Sequence, residues 1–280
     1  MSSAAMSTSL ERTYRYLRLG LVGDVLAIFT GVAVAAADVG WLPSLSDYYF
    51  TSARDVFVGA LIATTLALVA LSGRGPDRVL LDAAAVFAPL IAVVPTTVVP
   101  GTVPGIAAAC TERCFPREFI PDAATGVATY LVLGGLVVAV AAVVCVRAGV
   151  RSGEVWLSLA MTAAVMVAVA LTWMLAREAF LAQGHAVATT LFFALFAATA
   201  VRAAFPAHTR APTQPYRSVY VAVAILLATV LVAYVAVLAV GSSTTFPAIL
   251  VIEAAALSLF LVFWVAQGIE HRSDPDPRLR

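Results

Sequence analysis

Long apolar runs separated by short polar breaks set the pattern of this chain. An α-helix needs about 20 apolar residues to cross roughly 30 Å of hydrocarbon. Runs of that size fall near 17–37, 55–72, 79–99, 125–146, 155–175, 185–204, 218–240 and 247–267. They predict an all-α fold, a polytopic transmembrane helix bundle of about eight helices over 17–267. An N-terminal segment, 1–16, precedes it and a tail, 268–280, follows. The first three runs each carry an aspartate, at Asp24, Asp55 and Asp82.

Arginine placement predicts the orientation. If the N-terminus is cytoplasmic, the opposite side holds only Arg54, Arg113, Arg117 and Arg177 of the 17 arginines, and the excess alternates correctly at every crossing. Positive charge stays on the cytoplasmic side of short loops, so both termini are expected there, in a multi-pass protein of the cell membrane. A cleavable secretory signal is the competing reading of the first run, with Ala35, Ala36 and Ala37 as the small residues at its end. Asp24 interrupts that run, and Gly20, Asp24, Ala27, Gly31 and Ala35 share one small-residue face suited to helix packing. A retained helix is therefore expected.

Composition narrows the chemistry. The chain is 62% hydrophobic and 12% charged, with a mean hydropathy of +0.97. It has no lysine, so no retinal or pyridoxal Schiff base can form on it. A net charge of +1 offers no basic stripe for nucleic acid. Three cysteines and three histidines match no zinc-finger or haem-attachment spacing, and neither metal nor cofactor is expected. Cys110 and Cys114 lie in the long connection 100–124, on the expected oxidising side, and a single turn would bring them to disulfide distance.

Against this background the stretch from Ser44 to Gly59 is unusually polar. It holds Ser46, Asp47, Tyr48, Tyr49, Arg54 and Asp55 between two apolar runs. Glu253 lies six residues past Pro247, well inside the last run. An ionised carboxylate facing lipid there would cost roughly 2.5–3.5 kcal/mol, so it should face protein or water. His185 is expected to open the sixth helix on the same side. Ser46, Tyr48, Tyr49, Arg54, Asp55, His185 and Glu253 are the candidate ligand-binding residues, and Arg54, Asp55 and Glu253 are expected to couple as one polar site. One imidazole with two carboxylates is too common a set to imply a metal. No catalytic residue is assigned, because Ser44 and Ser46 lack a Gly-x-Ser-x-Gly context. Asp24 and Asp82 are expected to pair with Arg18, Arg74 or Arg78, or with a backbone amide.

The sequence Ser44-x-Ser46-x-Tyr48-Tyr49-x-Thr51-x-x-Arg54-Asp55-x-Phe57-Val58-Gly59 resembles a motif of an uncharacterised family of bacterial multi-pass membrane proteins. Pro95-Thr96, His185 with Phe192-Phe193, and Pro247 through Glu253 to Trp264 are similar to that family at three later points. The resemblance implies a bundle that this chain enlarges by one helical pair between Pro95 and His185, and it implies no activity. The function expected is therefore small-ligand or ion binding or transport, in an outward-facing polar pocket. A membrane-embedded hydrolase or transferase acting on lipid, and a structural or assembly subunit, are the alternatives. The lipid bilayer is the expected partner, with a small ligand, ion or lipid in the pocket. A reporter active only outside the cytoplasm is expected to be silent when fused after Arg280 and active when placed near Cys114. The reverse pattern would overturn the orientation.

Overall fold

The computed structural model describes residues 3–271 apart from 74–75, 108–109, 112, 207–211 and 241–246, so most of the expected tail lies outside the described residues. Eight α-helices are described: α1 (Ser3–Val39), α2 (Arg54–Leu71), α3 (Pro76–Val93), α4 (Ile120–Arg147), α5 (Gly153–Leu175), α6 (Arg177–Ala204), α7 (Gln214–Val240) and α8 (Ala248–Glu270). Among the described residues there is no strand, only one isolated antiparallel bridge between Val98 and Cys114.

Glycine and proline punctuate the helices. Gly40 ends α1 at φ +80, a backbone position that favours glycine, and its amide donates back to Ala36 at 2.9 Å. Pro95 stops α3, since the residue before a proline is pushed out of the helical region. Pro121 and Pro247 stand at the starts of α4 and α8, where a missing amide costs nothing. Two expected boundaries move. The helix expected from residue 17 begins at Ser3, so the expected N-terminal segment continues α1. The sixth helix begins at Arg177, which puts His185 two turns inside it rather than at its start. Glu178 in the first turn suits the positive end of the helix dipole.

Six helices close a ring: α1 packs on α2, α2 on α3, α3 on α6, α6 on α7, α7 on α8, and α8 back on α1. The remaining pair, α4 and α5, packs on the outside of α3. Its exposure is that of a surface meant for lipid: Val132, Leu136, Val137, Val140 and Val144 of α4 are all exposed. Seven of the eight helices are long and apolar enough to cross a membrane. The exception is α3, which carries Asp77, Arg78 and Asp82 within its 18 residues. It is shielded by α2, α4, α5 and α6. There Asp82 pairs with Arg78 at 3.3 Å and accepts from the Ser158 hydroxyl of α5 at 2.6 Å.

Close helix approach is set by small residues. A Cβ built on Gly31 of α1 would meet Val56 of α2 at 3.2 Å. On Gly126 of α4 it would meet the Cβ of Val93 in α3 at 2.7 Å, closer than carbon atoms pack, whereas Gly135 has open space. Gly126→Ala is expected to weaken α4 against α3 by about 1–3 kcal/mol, the range for overpacking. Thermal unfolding in detergent should show a lowered midpoint for Gly126→Ala and none for Gly135→Ala.

Candidate functional site

The connection from α1 to α2 folds back as a plug on one end of the ring. Leu42, Ser44, Leu45, Ser46, Asp47, Tyr48 and Tyr49 are all buried, and a short 3-10 turn runs over Ser46–Phe50. The Tyr48 hydroxyl fixes the plug from within, donating to the Gly40 carbonyl at 3.0 Å and accepting from the Leu42 amide at 3.2 Å. The Thr51 hydroxyl donates to the Tyr48 carbonyl at 2.8 Å and accepts from the Ala53 amide at 3.2 Å, which turns the chain into α2. The Pro43 carbonyl accepts the Leu250 amide at 2.9 Å, satisfying one of the free donors at the start of α8.

Glu253 lies in α8 about 8 Å below Ala248, at 1.5 Å per residue. Its Oε2 accepts from the Ser44 hydroxyl at 2.7 Å, the Leu45 amide at 2.6 Å and the Ser46 amide at 3.3 Å. Its Oε1 lies 3.0 Å from Ser46 Oγ. The same Ser46 Oγ lies 2.8 Å from His185 Nε2, and His185 Nδ1 lies 2.8 Å from the Val94 carbonyl. That carbonyl is free because α3 stops at Pro95. A carbonyl only accepts, so Nδ1 carries a proton and Nε2 faces the serine. Carboxylate, hydroxyl and imidazole thus form one buried chain, with Ser46 5%, His185 4% and Glu253 8% exposed.

Beneath this chain is a cavity of about 50 Å³ lined by α1, α2, α3, α6, α8 and the plug. Its polar wall is Ser46, Thr64, Thr189 and Glu253, and the rest is aliphatic and aromatic, including Phe57, Phe192 and Phe260. Phe196, Phe263, Trp264 and Tyr220 continue the aromatic packing below it.

The seven predicted site residues go to two places. Ser46, His185 and Glu253 meet, with Tyr48 bracing the plug around them. Tyr49, Arg54 and Asp55 instead line an open groove of about 440 Å³ between α2, α3 and α4, together with Asp122. The expected coupling of Arg54 to Glu253 is not formed. Arg54 pairs with Asp122 at 2.8 Å, bonds the Tyr49 hydroxyl at 2.8 Å, and lies over the Tyr49 ring at 4.6 Å. Asp122 starts α4, close enough to reach Arg54 without the arginine having to enter the membrane. Sequence reasoning left Ser44, Asp47, Val94, Thr64, Thr189 and Asp122 out of the site. For Ser44 the signal was present: two serines two apart in a turn can straddle one carboxylate.

Asp47 stands apart in the plug. It is 1% exposed, and neither carboxylate oxygen has a hydrogen-bond partner. Burial pushes its carboxyl up to about 7; Arg113 pulls it back in part, Glu253 adds to the rise and the Ser44 backbone offsets a little. Arg113 belongs to the loop closed by the expected Cys110–Cys114 disulfide, which is formed. Cys114 also holds the loop to Val98 through backbone bonds of 2.9 and 3.0 Å.

Compared with protein-family models, curated proteins and solved structures, the chain matches none. Its class rests on its own physics. It is a multi-pass integral membrane protein built as a helical bundle, with a buried polar chain closed over by a plug at one end.

Because Asp47 holds its proton more tightly folded than unfolded, the folded state binds more protons between about pH 4 and about pH 7. Stability is therefore expected to fall as pH rises through that window and to level off above it. Every tenfold gain in proton affinity on folding is worth about 1.4 kcal/mol. Asp47→Asn is expected to flatten the slope and raise the unfolding midpoint at pH 8, measured by thermal unfolding across pH 4 to 8. An unchanged slope would show that Asp47 does not carry it.

Proposed function

We propose that this protein is a proton-linked carrier of a small solute or ion, described in a state with its site occluded beneath the plug. In this reading it lies in the cell membrane with both termini cytoplasmic, so that the plug and the Arg54 groove face outward. The observation that carries the reading is the proton count of the Glu253–Ser46–His185 chain. Ser46 has one hydroxyl proton and stands between two partners. Both contacts are hydrogen bonds only when one further proton is present. It resides on Glu253 Oε1, with Ser46 donating to His185, or on His185 Nε2, with Ser46 donating to Glu253. Remove that proton and one contact becomes two acceptors face to face. Proton loss thus loosens the plug, and binding one closes it.

A lipid-acting hydrolase has one observation in its favour, the 2.8 Å contact of Ser46 Oγ with His185 Nε2, which is nucleophile-to-base geometry. Against it, Ser46 is buried, and the amides of Leu45 and Ser46 that could hold an oxyanion are spent on Glu253.

Purified protein in sealed vesicles carrying an internal pH dye tests the proposal. Wild-type protein is expected to move protons when one of a panel of small ions, amines, acids and sugars is added outside. Glu253→Gln is expected to fold normally, since an amide can accept the plug's donors and donate to Ser46, yet to lose proton movement at least tenfold. Wild-type vesicles indistinguishable from empty ones across the panel would end the proposal.

A further inference from the structure

The hydroxyls of this bundle divide into two kinds. Thr30, Thr65, Thr162, Thr172, Thr199, Thr229 and Ser258 each donate to the carbonyl four residues back in their own helix. This is the usual resort of a hydroxyl with nothing better to bond. Thr64 and Thr189 do not, although both are buried, at 4% and 8% exposed. Thr64 donates across helices to Asp24 of α1 at 3.0 Å. Thr189 lines the cavity under Glu253, and its buried hydroxyl has no partner.

We infer that the cavity is a water site, and that its water links Glu253 through Thr189 and Thr64 to Asp24, giving the proton site a second route toward the far end of the bundle. The inference rests on the carrier reading above and adds the path by which the proton leaves. A cavity needs about 10–15 Å³ on this measure to hold one water, and it must offer polar partners. At about 50 Å³ this one has the volume, and Ser46, Thr64, Thr189 and Glu253 stand in its otherwise apolar wall.

Within α6, Thr189 lies one turn, about 6 Å, beyond His185, and Thr64 hands on directly to Asp24. Six residues beyond Asp24, on the same helix, is Arg18, about 9 Å further. Charged or titratable groups lie at both ends of the route: Asp47, Arg113 and Tyr234 of α7 act near Glu253, and Tyr220 and Glu270 stand near Arg18.

Each transfer balances. Glu253 gives its proton to the water, which the Thr189 hydroxyl holds in place, and becomes a carboxylate while the water passes one of its own to Thr64. The Thr64 hydroxyl accepts that proton and releases its own to the Asp24 carboxylate, so every O–H bond broken is matched by one formed. The phenylalanines of the wall narrow the cavity, and a short water chain crosses it.

Two readouts test the route. A structure of the protein in lipid nanodiscs, at a resolution that shows ordered water, is expected to place density within hydrogen-bond distance of Thr189 Oγ1. In the vesicle assay, Thr189→Val and Asp24→Asn are each expected to slow proton movement at least tenfold, and Thr189→Ser to retain it. Thr189→Val serves as the variant that folds, because the hydroxyl it removes has no partner within the protein. If Glu253→Gln is inactive while both other variants move protons at the wild-type rate, the route is wrong and the carrier reading stands. If wild-type protein moves no protons, the carrier reading fails and the water density decides alone. An empty cavity then overturns the inference, and a filled one upholds the water site.

Discussion

The carboxylate of Glu253 holds this structure together at the plug end. It receives the Ser44 hydroxyl and the Leu45 and Ser46 amides on one oxygen and faces Ser46 with the other. Each of those donors is buried, and a buried donor left without a partner costs about 1–3 kcal/mol. Through Ser46 the same carboxylate reaches His185 of α6, and through His185 the loose carbonyl at the end of α3. One side chain therefore ties α8, the plug, α6 and α3. The tie is local to one end; at the other, Tyr220 donates to Glu270 and joins only the neighbouring α7 and α8.

The ring and the outer pair meet different demands. Ring helices must leave room for polar groups, and under the plug they supply it above a floor of aromatic rings packed edge-on and tilted. The pair α4 and α5 buries little of itself: the apolar window of α4 is 6% buried and that of α5 11%, against 39% for α6. Such helices are soluble in lipid without needing protein neighbours. Their tie to the functional end is Asp122, which takes Arg54 and so roofs the groove beside the plug.

Much of this was legible in the sequence, for reasons that differ by residue. The apolar runs showed the helices because lipid imposes a length on them. The Cys110–Cys114 pair was legible because its spacing is local. Glu253 was legible because a carboxylate at that depth must face protein. Its partners were not, because the Ser44–Ser46 turn lies more than 200 residues away and reads locally as ordinary loop chemistry. A pair between Arg54 and Glu253 requires α2 and α8 to be neighbours. The ring order instead sets α2 between α1 and α3, and Asp122 is the nearer acid. His185 reads as a helix start because Arg177, Glu178 and Gln183 look like a loop, whereas they continue the helix over its polar end.

A buried carboxylate so well supplied with donors invites the simpler view that it only locks a loop. The lock, however, is complete without His185. Oε2 alone satisfies the Ser44 hydroxyl and both amides. The arm from Oε1 through Ser46 to His185 goes further, since it supplies a donor to the Val94 carbonyl and ties α6 and α3 to the plug. That arm is closed only when it holds one more proton than an ionised glutamate and a neutral histidine supply. A group that must bind a proton to complete its contacts would, under the proposed function, link plug closure to proton binding in one equilibrium, each drawing on the free energy of the other. In the proposed carrier, linkage of that kind is what would couple a proton to the opening of the site.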